Sequence, residues 1–293
     1  MNRKEIVSNG VGPGAPRDFL CRTEFDTADR EVICREGGTP ALPTLQFTGE
    51  RVVPGKVELF LFREHEARYV FASRFVKDKV VLDVACGAGI GTHYLLKAGA
   101  RSCLGLDIDY RTVDYARAAY KSCRFAQCDA ANLCLPDESV DVVVSFETIE
   151  HLGDQLKFLL ECRRVLRRGG DVICSTPNRT LNRWARRNPF HVREFSVDEF
   201  AHLFKEVFGN VQLYAQNNKF YLPHVGRTLL SRLIDQLQLR NTVKRVFRRK
   251  PAPLAVETEF DGNMSRFSST IQACAPRTLV QPAYVIAVGR RSL

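Results

Sequence analysis

The sequence predicts an α/β protein: a doubly wound, mostly parallel, seven-stranded sheet with helices on its faces and a helical insertion before the last strand. Three observations carry this. Short, near-continuous apolar runs recur from Val80 onward, the pattern of strands covered on both faces. Helical periodicity fills most of the intervals between them, and alternating β and α gives parallel crossover units. A glycine-rich turn, Gly87-Ala88-Gly89, follows the first run and opens the first interval.

The elements follow in order. Residues 1–46 are polar, rich in Gly and Pro and without a period, so they read as a mobile or loosely docked arm. Residues 47–79 form a lid or helix segment, in which Leu61, Phe62, His65, Tyr69, Ala72 and Phe75 recur at helical spacing. A core over 80–216 then carries strands at 80–84, 103–107, 124–128, 140–146, 171–175 and 211–215. Helices are expected at 91–97, 110–121 and 154–166. A further helix over 196–208 opens on Ser196 and Glu199, spaced as a capping box, and carries the stripe Phe200, Leu203, Phe204, Val207. The seventh strand is expected at 284–288, within a last segment 281–293. The long stretch between, 217–280, reads as a basic helical insertion, because Leu229, Leu230, Leu233, Ile234 and Leu237 form an amphipathic set.

Composition bounds the function. With 293 residues, 45% hydrophobic and 26% charged, the chain can bury a substantial core. It has no apolar run long enough to span a membrane and no signal-peptide core at its start, so a cytoplasmic location is expected. Ten cysteines without a Cys-x-x-Cys pair suit reduced thiols better than a disulfide or zinc framework, and no metal site is expected. The net charge of +10 is concentrated between Arg227 and Lys250, where eight basic residues face one acid, Asp235. That segment is either a solvated face or a peripheral contact with an anionic membrane surface over 226–250, which would place the protein at the inner membrane face.

The site chemistry begins at Val81-Leu82-Asp83-Val84-Ala85-Cys86-Gly87-Ala88-Gly89-Ile90-Gly91. A turn between a strand and a helix lets a ligand approach the backbone, and the helix start favours an anion. A nicotinamide fingerprint would need Gly or Ala where this chain has Thr92. Asp83 can draw a ligand ammonium through water or the loop. Asp107 ends the second strand, where a carboxylate accepts from ribose hydroxyls. Asp129 ends the third strand and can accept from an adenine amino group, while the Ala130 N–H donates to a ring nitrogen.

On these residues the chain resembles the class I S-adenosylmethionine (SAM)-dependent methyltransferases, of the broad small-molecule type. The likeness runs from about Glu64 to Phe208 and includes Leu106-Asp107-Ile108-Asp109, Cys128-Asp129-Ala130, Leu135 to Asp141, Glu147-Thr148-Ile149-Glu150-His151-Leu152 and Val165 to Gly170. It implies a Rossmann-like methyltransferase fold with SAM as cofactor. It places Gly87 and Gly89 at the methionine part, Asp107 at the ribose, Ile108 on the adenine face and Asp129 on its edge, with Phe146 and Glu147 closing over the ligand and Ala85 and Cys86 also among the cofactor-binding residues. A narrower likeness, to bacterial methyltransferases of surface-glycan or natural-product sugar assembly, rests on Phe47 to Pro54, Glu64-His65, Arg68-Tyr69, Thr176-Pro177-Asn178 and Asn188 to Phe195. The expected reaction is O-methylation of a small-molecule or glycan acceptor, with His151 and His191 as candidate general bases. The alternatives are methylation of a quinone or polyketide ring and a SAM-binding protein without turnover. A nucleic-acid acceptor is disfavoured, since Phe146-Glu147-Thr148 stands where an Asn-Pro-Pro-Tyr signature would be.

Overall fold

Why the apolar runs become strands is visible in how they are covered. In the computed structural model, which describes residues 45, 59–182, 188–217, 270–273 and 282–293, the runs alternate between two cores. Leu82, Val84 and Val143 face one side with Phe158, Leu159, Phe200 and Phe204. Val81, Val142 and Val144 face the other with Tyr69, Phe71 and Leu95. A strand sandwiched this way has no polar face, hence no alternation in its sequence.

The strands are β1 (Val80–Val84), β2 (Ser102–Asp107), β3 (Arg124–Gln127), β4 (Val140–Phe146), β5 (Leu166–Pro177), β6 (Val211–Asn217), β7 (Thr270–Ala273) and β8 (Tyr284–Arg290). They form one sheet in the order β3-β2-β1-β4-β5-β8-β6-β7. The first five are parallel, whereas β8 runs antiparallel between β5 and β6, and β7 antiparallel to β6. The helices are α1 (Leu59–Ala72), α2 (Ile90–Lys97), α3 (Tyr110–Ala119), α4 (Gln155–Val165), the short α5 (Arg179–Asn182) and α6 (Val197–Phe208).

Local chemistry fixes several boundaries. Asp109 caps α3 by accepting from Arg111 N, and Asp154 caps α4 by accepting from Lys157 N. The expected capping box of α6 forms: Ser196 N donates to Glu199 Oε2 at 2.8 Å and Glu199 N to Ser196 Oγ at 3.3 Å. The α1 helix packs against α2 at Gly91, where a Cβ would overlap the Tyr69 ring.

Among the described residues the sheet has eight strands where the sequence predicts seven. The added strand, β7, lies in the stretch read as a helical insertion and pairs Tyr214↔Ala273 through Asn217↔Thr270. Four residues at a sheet edge are too few to show a period, and Thr270-Ile271 is its only β-branched pair. The amphipathic stretch from Gly226 to Lys250 lies outside the described residues, as does the arm over 1–44. Leu45 is buried against Ala88 and Tyr115.

Candidate active site

The chain leaves β1 for β2 and β3 on one side, then crosses back to β4 on the other. Ligands of open α/β sheets bind at such a reversal, beyond the carboxyl ends of the strands. A cavity of about 470 Å³ opens there, within the range of small-molecule and cofactor sites. Ala85, Cys86, Gly87, Asp107, Ile108, Asp129, Ala130, Phe146, Glu147, His151 and His191 all line it.

Two residues singled out from the sequence stand off the cavity wall. Gly89 has φ +83°, and a Cβ there would sit 2.8 Å from Ala116 Cβ and Phe125 Cζ. This glycine is required by the packing of the α2 start on α3 and β3. Asp83 is fully buried; it accepts from Thr92 Oγ1 at 2.6 Å and from Tyr69 Oη at 3.2 and 3.3 Å. Burial outweighs these hydrogen bonds and lifts its pKa to about 7.

At one end of the cavity the β1–α2 loop turns outward. Gly87 has φ +54°, and nothing lies within 4 Å of where its Cβ would be. Asp107 is held in place from both sides: Oδ2 accepts from Gly87 N at 2.9 Å and Oδ1 from Asp109 N at 3.0 Å. Ile108 is 68% exposed, an apolar side chain standing in the open beside that carboxylate. Asp129 caps its own turn, accepting from Ala131 N at 2.9 Å.

The other end is built from the β4 terminus, the β5 terminus and the segment 188–195. Glu147 has φ +53°, a conformation that costs a non-glycine residue free energy and clusters at functional sites. Its Oε1 accepts from Ser175 Oγ at 2.7 Å and lies 4.0 Å from the Arg68 Nε. Glu150 is fully buried, with Oε2 accepting from Thr176 Oγ1 at 3.1 Å and Oε1 lacking a hydrogen-bond partner. Burial first, and the neighbouring Glu147 charge second, push its carboxyl well above the usual range. The backbone carbonyl of Glu150 accepts from Val192 N and Arg193 N, which ties the His191 segment to the end of β4. His151 and His191 thereby meet edge to face, their ring centres 4.8 Å apart.

Residues that sequence reasoning left out of the site complete its wall: His65 and Arg68 from α1, Asn188, and Tyr284. Arg68 is buried, donates to Gln216 Oε1 at 2.9 Å and to His65 Nδ1 at 3.2 Å, and stacks over the Tyr284 ring. Burial and the Arg68 charge lower the His65 pKa to about 3, so this ring stays neutral. Tyr284 is the first residue of β8. Because β8 is antiparallel, its start lies at the carboxyl edge of the parallel strands, paired with Pro177. The signals available were the Glu64-His65, Arg68-Tyr69 and Asn188 to Phe195 stretches of the narrower likeness; nothing in the sequence pointed to Tyr284.

These residues fit SAM. The open cradle at Gly87 admits a ligand against the backbone, the Asp107 carboxylate is fixed on the cavity wall by two backbone N–H groups, and Ile108 offers an exposed apolar surface beside it.

Residues 82–174 match the methyltransferase domain family. A protein of Mycolicibacterium smegmatis described as a probable SAM-dependent methyltransferase is 45% identical over 168 residues. That alignment covers 56% of this chain and 65% of the relative, so the chain spans just under two thirds of the relative's length. A ubiquinone biosynthesis O-methyltransferase of Cereibacter sphaeroides is 32% identical over 109 residues, covering 36% of this chain and 44% of that protein. Among solved structures, a SAM-dependent methyltransferase of Thermotoga maritima superposes with a TM-score of 0.53 at 17% identity, covering 78% of this chain and 90% of the other; at that identity the likeness is one of fold. The domain match, the mycobacterial relative and the shared fold agree that residues 82–174 carry a domain similar to those of SAM-dependent methyltransferases.

Proposed function

We propose that the protein transfers a methyl group from SAM to a hydroxyl of a small-molecule or glycan acceptor seated at the His151–His191 end of the cavity. The observation that carries this is the continuity of one cavity from the Gly87–Asp107–Asp129 loops to the two histidines. Ala85, Cys86 and Gly87 would hold the methionine part of the cofactor, Asp107 its ribose, and Ile108, Asp129 and Ala130 its adenine. Bound SAM supplies a methyl group on a sulfonium, a reactive carbon that needs no further activation by the protein.

What the chain adds is placement and removal of a proton. Phe146 and Glu147 stand between the two ends. Asp83 and Gly89 support the loop from behind. The carbonyl of Phe190 lies 3.1 Å from His151 Nδ1 and can only accept, so Nδ1 carries the hydrogen and Nε2 the lone pair. Glu194 Oε1 lies 2.6 Å from His191 Nδ1 and assigns the same tautomer to that ring. Both imidazoles therefore carry the lone pair on Nε2, that of His191 facing the Asn188 amide nitrogen at 3.0 Å, and the acceptor's hydroxyl proton leaves toward this pair.

The acceptor class is narrowed by two further features. Phe190 and Val192, at 42% and 58% exposure, stand on either side of His191 in the sequence and present apolar surface outside the cavity wall. This favours an acceptor with an apolar part, a lipid-linked glycan or a quinone-like ring, and the likeness to a ubiquinone O-methyltransferase supports the second of these. Calorimetry with SAM, S-adenosylhomocysteine and NAD tests the cofactor reading: the first two bind and NAD does not, and Asp107→Ala weakens SAM by roughly 1–3 kcal/mol, the cost of leaving polar groups unpaired. Turnover on a panel of sugar and phenolic acceptors tests the rest. His151→Ala and His191→Ala lower turnover while SAM affinity holds; full turnover in both would refute the assignment of the histidines.

A further inference from the structure

We propose that Glu150, His151 and His191 form a binding site for one divalent first-row transition-metal cation at the acceptor end of the cavity. One ligand atom from each side chain lies within 4.8 Å of the other two, so a single ion can be reached by all three with small side-chain adjustments. Such ions bind imidazole nitrogen and carboxylate oxygen at about 2.0–2.2 Å.

Three independent features select a cation over a bare polar cluster. The first is the orphaned oxygen. Glu150 Oε1 is buried and without a hydrogen-bond partner, while its other oxygen is held by Thr176. A buried carboxylate oxygen left unmatched is costly, and a metal ion is a partner that offsets this. The Arg68 guanidinium reaches the Glu147 carboxylate at 4.0 Å, while Glu150 Oε1 stays without a hydrogen bond.

The second is the outer layer. Histidines that bind metals donate their other ring N–H to a carboxylate or a backbone carbonyl, which fixes the tautomer and raises the basicity of the ligating nitrogen. Here Glu194 takes that place for His191 and the Phe190 carbonyl takes it for His151. Both arrangements leave Nε2 as the lone-pair atom. At His191 that atom contacts the Asn188 amide nitrogen at 3.0 Å, and an ion bound there replaces this contact.

The third is the donor set. Two imidazoles and one carboxylate suit Zn²⁺, Mn²⁺, Co²⁺ or Fe²⁺, whereas Mg²⁺ and Ca²⁺ prefer oxygen throughout. Glu150, His151 and His191 all line the cavity, so the remaining coordination positions face the acceptor. On the reading of the acceptor as a hydroxyl compound, its oxygen completes the sphere and is made more acidic by the ion. The histidines then act as ligands and no longer as proton acceptors. Binding of the ion itself does not depend on that reading.

The test uses the full chain, stripped with a chelator and dialysed, without SAM or acceptor. Titration with CoCl₂, followed by visible absorption and calorimetry, is expected to show one equivalent bound. Glu150→Gln and His191→Gln abolish saturable binding, and Glu194→Gln, which removes only the outer partner, weakens it by about 10-fold. S-adenosylhomocysteine affinity, measured on each variant, reports that it is folded. If a ligand variant fails to fold, the wild-type stoichiometry and the Glu194→Gln shift decide alone. Absence of a one-equivalent site in the wild type, or binding unchanged in Glu150→Gln and His191→Gln, overturns the proposal. Either result combined with intact SAM turnover leaves methyl transfer standing. An ion bound as expected by a chain that does not bind S-adenosylhomocysteine would sink methyl transfer and keep the metal site.

Discussion

Asp83 and Asp107 end neighbouring strands 24 residues apart in sequence, yet they are different chemical groups. Asp107 sits on the cavity wall with two backbone donors, while Asp83 is sealed behind the loop with Thr92 and Tyr69. The pKa of Asp83, raised from an ordinary 3.8 to about 7, makes it a stability element with a defined pH dependence. Between those values the folded chain keeps the proton that the unfolded chain has lost. Its contribution is therefore full below about pH 4, falls as the pH rises toward 7, and is constant above. From pH 5 to pH 7 the loss is up to about 3 kcal/mol. Asp83→Asn does not titrate. Its urea-unfolding free energy is expected to fall by about that much less than the wild type over this interval; parallel pH profiles would show that Asp83 does not carry the slope. At this scale the cavity-lining acid and the glycines were legible because strand ends and turns announce themselves in sequence. Which of them reaches the cavity was not, because burial is decided by neighbours far along the chain.

The β1–loop–α2 unit depends on the helix that precedes it. Tyr69 of α1 reaches over α2 to Asp83, and its ring occupies the space a side chain at Gly91 would need. Two effects compete in Gly91→Ala. Alanine gains up to about 1 kcal/mol of helix propensity over glycine. Overpacking typically costs about 1–3 kcal/mol, and the ring cannot move aside without leaving Asp83. The clash is expected to win: chemical denaturation should show a net loss of stability, with weaker SAM binding as the loop loses its backing. A more stable Gly91→Ala would mean that α1 is free to shift. The helices over 59–72, 110–119, 155–165 and 197–208 were readable because each has caps or an apolar stripe of adequate length. The four-residue β7 and the direction of β8 were not. An apolar strand reads the same in both directions, so the arrival of Tyr284 at the site follows from pairing with β5 alone.

For the whole molecule, charge is the property that reaches beyond the cavity. Eight basic residues against one acid lie between Arg227 and Lys250, next to leucines at helical spacing. Among the described residues no helix is long and apolar enough to cross a membrane. A surface contact is a separate matter: each Lys or Arg near an anionic leaflet contributes about 1 kcal/mol, screened by salt. The protein is expected to float with anionic liposomes at low salt and to be released as the salt rises, and removal of the basic charges in that segment abolishes flotation. A chain that stays in the soluble fraction at low salt has no such contact, and its leucines cover the protein itself.

The likeness to a SAM-binding methyltransferase domain and the β/α order were legible in the sequence, because glycine turns, strand-end acids and apolar periodicity are local and each has one common physical cause. It also set out most of the cavity wall, from Ala85 through His191. Tertiary structure alone decided three things. It set Asp83 and Gly89 behind the wall, since both serve packing between elements. It inserted β8 between β5 and β6 and so brought Tyr284 to the cavity. It also joined Glu150 and His151 to His191 across 40 residues of chain, through hydrogen bonds from the backbone of Val192 and Arg193 to the Glu150 carbonyl. Backbone bonds of that kind are blind to side-chain identity, which is why no pattern in the sequence foretells them.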